Sequence, residues 1–353
     1  MSGVSPPFVD FGRRTLVLRG RWGGLRIDLR SMVVCIALIV AIIAVALVAL
    51  ATGSYPLGID QVASALTGGE TGLVHDIVVN WRLPRVAAAL VFGAALGVSG
   101  AVFQSLLRNP LADPGIIGFS QGSYTGALIV VLVINGSYLQ LVGGALLGGM
   151  ATGVLVYVLA YRRGVQGFRL IIVGIGVSAM LGSLNTWLIL RAELEQAMAA
   201  AAWGAGSLNG VNWDQVAIGS ALIAILLLVA AMLSRPMRQM EVGDDMAASQ
   251  GVRVSAVRLG LIVVGVALTA TVTAASGPIA FISLVAPQIA RRLARTAGIT
   301  LAPAACVGAL LCLAADYVAQ RIASTPLPVG IITVMIGGGY LGWLLFIEAR
   351  RRL

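Results

Sequence analysis

MVVCIALIVAIIAVALVALA, residues 32–51, is the stretch that decides the class of fold. Its twenty residues carry no charge. At about 1.5 Å of rise per residue they make a helix of about 30 Å, the thickness of a bilayer's hydrocarbon core. The leader ahead of it, residues 1–31, is polar and holds Arg13, Arg14, Arg19, Arg21, Arg26 and Arg30. The apolar run is too long for the core of a signal peptide and reads as an uncleaved first span. Arginines gathered beside a first span predict a cytoplasmic N-terminus.

Working outward, further apolar runs lie near 85–106, 115–134, 138–161, 169–190, 215–234, 255–275, 279–294, 300–321 and 328–347. The expectation is an all-α integral membrane protein of about ten transmembrane helices, with both termini on one side. Its parts are a cytoplasmic arginine-rich leader (1–31), a membrane domain (32–349) with an inner loop at 236–254, and a cytoplasmic tail (350–353). Arginine tests this topology. Of the 24 arginines, 20 fall in segments assigned to the inside and only Arg82, Arg85, Arg191 and Arg321 fall outside, the asymmetry that the positive-inside rule requires. Glycines four apart, as in Gly93/Gly97, Gly144/Gly148 and Gly149/Gly153, let helix backbones approach closely in lipid.

Composition excludes several functions. Hydrophobic residues make up 59% and charged residues 11%, with a mean hydropathy of +0.96, where a soluble domain has about a quarter of its residues charged. The net charge of +10 is spread through the loops as arginine, without the basic and aromatic tract of a nucleic-acid binder. No lysine occurs, so the chain has no Walker A phosphate loop and no ATP hydrolysis by that route. A membrane enzyme is disfavoured by the absence of HExxH or a nucleophile motif and by a single histidine, His75, read as a solvated outer-loop residue. Cys35, Cys306 and Cys312 lie inside apolar runs and read as small core residues, not as a disulfide or metal site.

An ion-coupled secondary carrier is the rival from another class. It would need paired intramembrane carboxylates or broken-helix ion sites repeated in two halves, and the sequence shows neither. Asp316, near the outer end of an apolar run, is a functional candidate by position. Standing nearly alone, it reads better as a structural ion pair or helix-end residue, with Gln320 or Arg321 one turn on to satisfy it.

Two stretches carry the functional signal. Arg235 to Arg258 (RPMRQMEVGDDMAASQGVRVSAVR) lies between two long apolar runs and mixes Glu241, Asp244 and Asp245 with Met240, Met246 and Ala247. That pattern suits short amphipathic helices facing a soluble partner, or a solvated loop joining two spans. Trp81 to Gly122 contains an Arg-Leu-Pro-Arg opening, a glycine-rich helix and then Asn109-Pro110-Leu111-Ala112-Asp113-Pro114-Gly115. The prolines break the helix at the inner face, and Asn109 and Asp113 can cap the ends so created.

The Trp81 to Gly122 stretch resembles the signature of the FecCD family, the permeases of ABC importers for iron-siderophores, haem and cobalamin. Trp203 to Gly210 with Trp213 resembles the family's outer segment after the fifth span. Ser249-Gln250-Gly251-Val252 resembles its coupling loop, Gly277 to Arg291 its late GPIxFxxLxxPxIxR motif, and Pro328 to Thr333 the start of its last span. The resemblance covers residues 55 to 349. Departures are Gln288 where the family usually has His, Gln320 with Arg321 near the end of the ninth span, and Pro326 in place of a glutamate.

The resemblance implies type II importer architecture in the cell's inner (plasma) membrane and uptake of a bulky metal chelate, most plausibly a ferric siderophore, with haem or cobalamin as alternatives. It implies a second permease, identical or related, two cytoplasmic ATPase subunits that bind ATP and Mg, and an extracytoplasmic binding protein. No cofactor is expected in this chain, and its only other contact is membrane lipid. Arg82, Arg85 and, with a one-residue slip, Arg321 match the arginines that dock the binding protein, against the alternative of interfacial arginines snorkelling to headgroups. Asn109, Leu111, Gln166, Gly167 and Phe168 match the cytoplasmic gate. Glu241, Asp244, Asp245, Ser249, Gln250 and Gly251 match the ATPase-coupling turn.

Overall fold

The computed structural model describes residues 15–20, 23–115, 117–160, 167–296, 298, 300–323 and 325–352. Part of the arginine-rich leader forms an antiparallel hairpin, β1 (Thr15–Gly20) with β2 (Gly23–Asp28), Thr15 standing opposite Asp28. The expectation held only a polar arm there. Helix α1 (Leu29–Ala51) starts three residues ahead of the uncharged run, because the Asp28 carboxylate accepts from the backbone N–H of Arg30 at 2.9 Å.

On the far side the chain forms α2 (Ile59–Leu66) and α3 (Leu73–His75), then π-helical turns over Asp76–Arg82. These run without a break into α4 (Leu83–Leu106), and Pro84, which has no N–H to give, stands at the change from π to α winding. Then come α5 (Phe119–Ile129, prolonged by π turns over Val130–Ile134), α6 (Tyr138–Ala160) and α7 (Gly167–Arg191). The short α8 (Leu194–Gly204) precedes α9 (Trp213–Val242), whose capping box joins Asn212 and Gln215. After α10 (Asp244–Ser249) the chain closes with α11 (Val254–Ser276), α12 (Ile282–Ala294), α13 (Leu301–Ala319) and α14 (Val329–Arg352).

Ten of these helices stand where the ten spans were expected. Among the described residues seven are long and apolar enough to cross a membrane, while α5 with its π turns and α14 are shorter apolar helices. Helix α12, with 13 residues, reaches about 20 Å and does not cross by itself. The tail expected at 350–353 continues α14 as far as Arg352.

Two helices make the centre. In α4 and α11, 78% and 83% of the apolar window is buried, against 11% in α1 and 22% in α7, which form the rim. Helix α4 packs on α13, α11, α12 and α9, and α5 packs on α6. Apolar side chains gain nothing by leaving lipid tails for one another, so close backbone packing has to hold such a seam. A Cβ on Gly93 or Gly97 would run into the carbonyls of Gly308 or Ala304 on α13, and one on Gly144 or Gly148 would strike α5 at Gly126 or Gly122. Cys312 is buried; Cys35 and Cys306 are half-buried and meet where α1 crosses α13.

Candidate functional site

The two ends of the bundle differ in build. At one end lie the start of α1 and the C-terminal ends of α4, α9, α12 and α14. Arg30 Nε donates to Leu293 O at 3.2 Å, and the Arg292 guanidinium lies 5.0 Å from the centre of the Trp343 ring. At this end α9 does not stop at Arg235 but runs on through Pro236 to Val242, which makes the first half of the expected loop the continuation of a span. Its 30 residues reach about 45 Å, so its last turns stand clear of a hydrocarbon core about 30 Å thick.

Gly243, at φ +152° and ψ +149°, breaks α9 from α10, a backbone open in practice only to glycine. Gly251, at φ +86°, ends α10: its N–H reaches Ala248 O at 2.9 Å and the next N–H, of Val252, reaches Ala247 O at 3.0 Å. That pair of bonds is a Schellman motif, and it reverses the chain into α11. The expected coupling residues divide into two groups. Glu241 accepts from Ser105 Oγ at 2.6 Å, and Asp244 accepts from Arg108 at 2.7 Å and Arg258 at 2.5 Å, so both face this chain's own helices. Asp245, Ser249 and Gln250 are exposed beside Val242 and Met246, while Met240 and Ala247 are buried against the bundle. An exposed surface of this composition, apolar and acidic together, suits a protein partner.

Next to it lies the loop from Leu107 to Gly118. The Asn109 N–H closes the end of α4 by donating to Gln104 O at 3.1 Å, but neither the Asn109 nor the Asp113 side chain caps a helix, contrary to expectation. Both hold turns, Asn109 Oδ1 accepting from Leu111 N at 2.9 Å and Asp113 Oδ1 from Gly115 N at 2.8 Å. Helix α5 begins only at Phe119, too far along the chain for either side chain to reach its first N–H groups. Asp113 also accepts from Ser283 Oγ at 2.8 Å, and burial pushes its carboxyl above the usual carboxylate range, against the lowering effect of those two bonds. Gln288 donates to Pro110 O at 2.7 Å and accepts from the Tyr340 hydroxyl at 3.1 Å, tying the loop to α12 and α14. Sequence reasoning treated Gln288 only as a departure from a motif, and no local pattern shows that α12 faces a loop 178 residues earlier. Leu111 is exposed. Gly167 and Phe168 open α7, and Gln166 lies outside the described residues.

At the other end stand Arg82, Arg85 and Arg321. Arg85 makes a bidentate pair with Asp316, Nε to Oδ2 and Nη2 to Oδ1, both at 2.8 Å, and also donates to Asn209 Oδ1. Gln320 Nε2 completes the shell of Asp316 at 2.8 Å. The structural reading of Asp316 stands, but its cation is Arg85 on α4, not Arg321. Arg321 instead donates to Tyr317 O at 3.0 Å and to Thr52 Oγ1, and Arg82 donates to Leu50 O and Tyr55 O, both at 2.6 Å. Asn209 borders a cavity of about 640 Å³, open to this end, whose other walls include Tyr138, Gln196, Trp203, Gln215 and Pro326. His75, expected as a solvated residue, is half-buried, and its Nδ1 is buried without a partner among the described residues.

A bundle of membrane-crossing helices with a short partner-facing helix beyond one end has the build of the transmembrane subunit of an ABC transporter. Among solved structures it is similar to an inward-facing metal-chelate type ABC transporter, at 26% identity and a TM-score of 0.76, over 90% of this chain and 99% of that one. The chain belongs to the FecCD transport family, which matches residues 38–346. It is 47% identical over 324 residues to the ferric enterobactin transport system permease protein of Escherichia coli (strain K12), covering 92% of this chain and 98% of that one. It is also 32% identical over 326 residues to the hemin transport system permease protein of Yersinia pestis, over 89% and 97% of the two chains.

Proposed function

We propose that this chain is the permease of an importer for a ferric siderophore. It works beside a second permease, identical or related, on two cytoplasmic ATPase subunits that hold ATP and Mg, and receives the chelate from an extracytoplasmic binding protein. The observation that carries the reading is the α9–α10–α11 turn. It stands beyond the bundle, is braced from behind by Glu241 and Asp244, and offers Val242, Asp245, Met246, Ser249 and Gln250 outward. Gly251 fixes where α11 departs from it. The end bearing this turn is the cytoplasmic one, together with both termini, in keeping with the arginine bias.

Asn109, Leu111 and the start of α7 at Gly167 and Phe168 form the inner gate, and Arg82, Arg85 and Arg321 form the docking face for the binding protein. Asp316 neutralises Arg85, so the steering charge at that face comes from Arg82 and Arg321. The siderophore assignment rests on family membership and on the enterobactin system of the relative at 47% identity. Haem stands behind it through the more distant hemin relative.

Reconstitution with ATPase and binding protein in proteoliposomes, offered a panel of ferric siderophores, haem and cobalamin, tests the reading. ATP-dependent uptake of a ferric siderophore ahead of haem and cobalamin is expected. Uptake driven by an ion gradient without ATP would refute it, and preference for haem would move the substrate within the family.

A further inference from the structure

Arg108 closes the last turn of α4 with φ +48°, a left-handed backbone that side-chain-bearing residues rarely adopt. That backbone is the turn of a Schellman motif that ends α4, the Arg108 N–H reaching Ser105 O at 3.2 Å and the Asn109 N–H reaching Gln104 O at 3.1 Å. From this turn the side chain reaches α9 and α10, where Nη2 donates to Met240 O at 2.6 Å and to Asp244 Oδ1 at 2.7 Å. Asp244 is the first residue of α10, and its second oxygen is held by Arg258 of α11 at 2.5 Å. One turn back, Ser105 Oγ donates to Glu241 Oε1 at 2.6 Å.

These polar ties are not a supplement to tight packing. Arg108 stands between two small cavities, of about 130 and 180 Å³, that separate the end of α4 from α9, α10 and α11. Nor are they there for stability: the Arg108 and Asp244 side chains are 48% and 43% exposed, and ion pairs so open to water contribute little to folding. What the arrangement does is fix distance. Arg108 is covalently followed by Asn109, Pro110 and Leu111, and Pro110 is held in turn by Gln288. A shift of α10 itself therefore reaches the loop most directly through the Arg108 side chain.

We propose that Arg108 is the positioning residue through which α10 moves Asn109 and Leu111, so that ATPase closure and gate opening are linked by the Arg108–Asp244 pair. The proposal rests on the reading of α10 as the ATPase seat. Linkage of this kind needs an element with two discrete positions and a stiff contact to it, and the pair supplies the contact.

The test uses the full reconstituted transporter and reads chelate molecules carried per ATP hydrolysed, alongside co-purification of the ATPase subunit. Arg108→Ala and Asp244→Ala should each lower that ratio about fivefold, with the double substitution no worse than either single, as expected of partners in one contact. The ATPase subunit should co-purify with Arg108→Ala as with the parent, which a merely misfolded inner face would not allow. Should thermal unfolding show that Arg108→Ala has lost its fold, Arg108→Gln takes its place, keeping a donor for Met240 O but no ion pair, with the same fall expected. A parental ratio in the folded variant overturns the proposal, and so do single losses that multiply in the double. If no ATPase subunit associates with the parent chain, the underlying reading of α10 fails, an outcome separate from these.

Discussion

Asp113 shows how one residue can carry a pH dependence inside an apolar bundle. It is 4% exposed, and both of its hydrogen bonds fall on the same oxygen, from Gly115 N and Ser283 Oγ. Burial raises its pKa in the folded chain above the unfolded value. A raised folded value means that Asp113 stabilises the fold below its unfolded pKa and that this contribution is lost as pH rises through the folded one. Asp113→Asn keeps the accepting Oδ1 and removes the titration. Its thermal stability in detergent should vary less across a pH series than the parent's, the parent losing ground toward alkaline pH. Identical pH profiles would show that Asp113 does not set this dependence.

Among elements, the seam of α4 with α13 stands out for joining glycine contact at its middle to a charge pair at its end. Gly93 and Gly97 lie against Gly308 and Ala304, and one further step out Arg85 closes on Asp316. The side chains of the pair are 16% and 3% exposed, so removing one partner strands the other in a poorly hydrated place. Such a loss costs about 3 kcal/mol. Asp316→Ala should therefore unfold at clearly lower temperature than the parent, and Asp316→Asn, which retains an acceptor, should fall between them. Because Arg85 also reaches Asn209, the same change should loosen the segment after α8, readable as faster amide exchange near Asn209. Equal melting of all three proteins would mean that the seam does not depend on the pair.

At the scale of the whole molecule, the two ends differ in their charge, and different partners are proposed for them. One presents acidic and apolar side chains on α10, the surface proposed for the ATPase; the other carries Arg82 and Arg321, which hold the segment after α1 through Leu50, Tyr55 and Thr52. Both arginines also donate to nearby backbone carbonyls, so their removal has to spare shape while deleting charge. The double variant Arg82→Gln with Arg321→Gln should bind the extracytoplasmic protein about tenfold more weakly at low salt and nearly as the parent does at high salt, since such charges act mainly through steering. Binding measured against ionic strength decides this, and a parental salt profile in the double variant removes these arginines from the docking face.

The sequence by itself determined the class of fold, the places of the ten apolar helices and the family. These follow from local rules: a bilayer demands runs of uncharged residues, and the family's motifs are contiguous stretches of sequence. Only the tertiary structure decided which charges meet. Asp316 sits four residues from Gln320 and five from Arg321 in the chain, yet its cation, Arg85, lies 231 residues away. Glu241 and Asp244 look like a surface to be read by a partner, and they face α4 across 136 residues. Helical periodicity says which residues share a face of one helix, but not which face of another helix lies opposite. That choice is made by the fit of glycine seams and by the need of each buried charge for a partner.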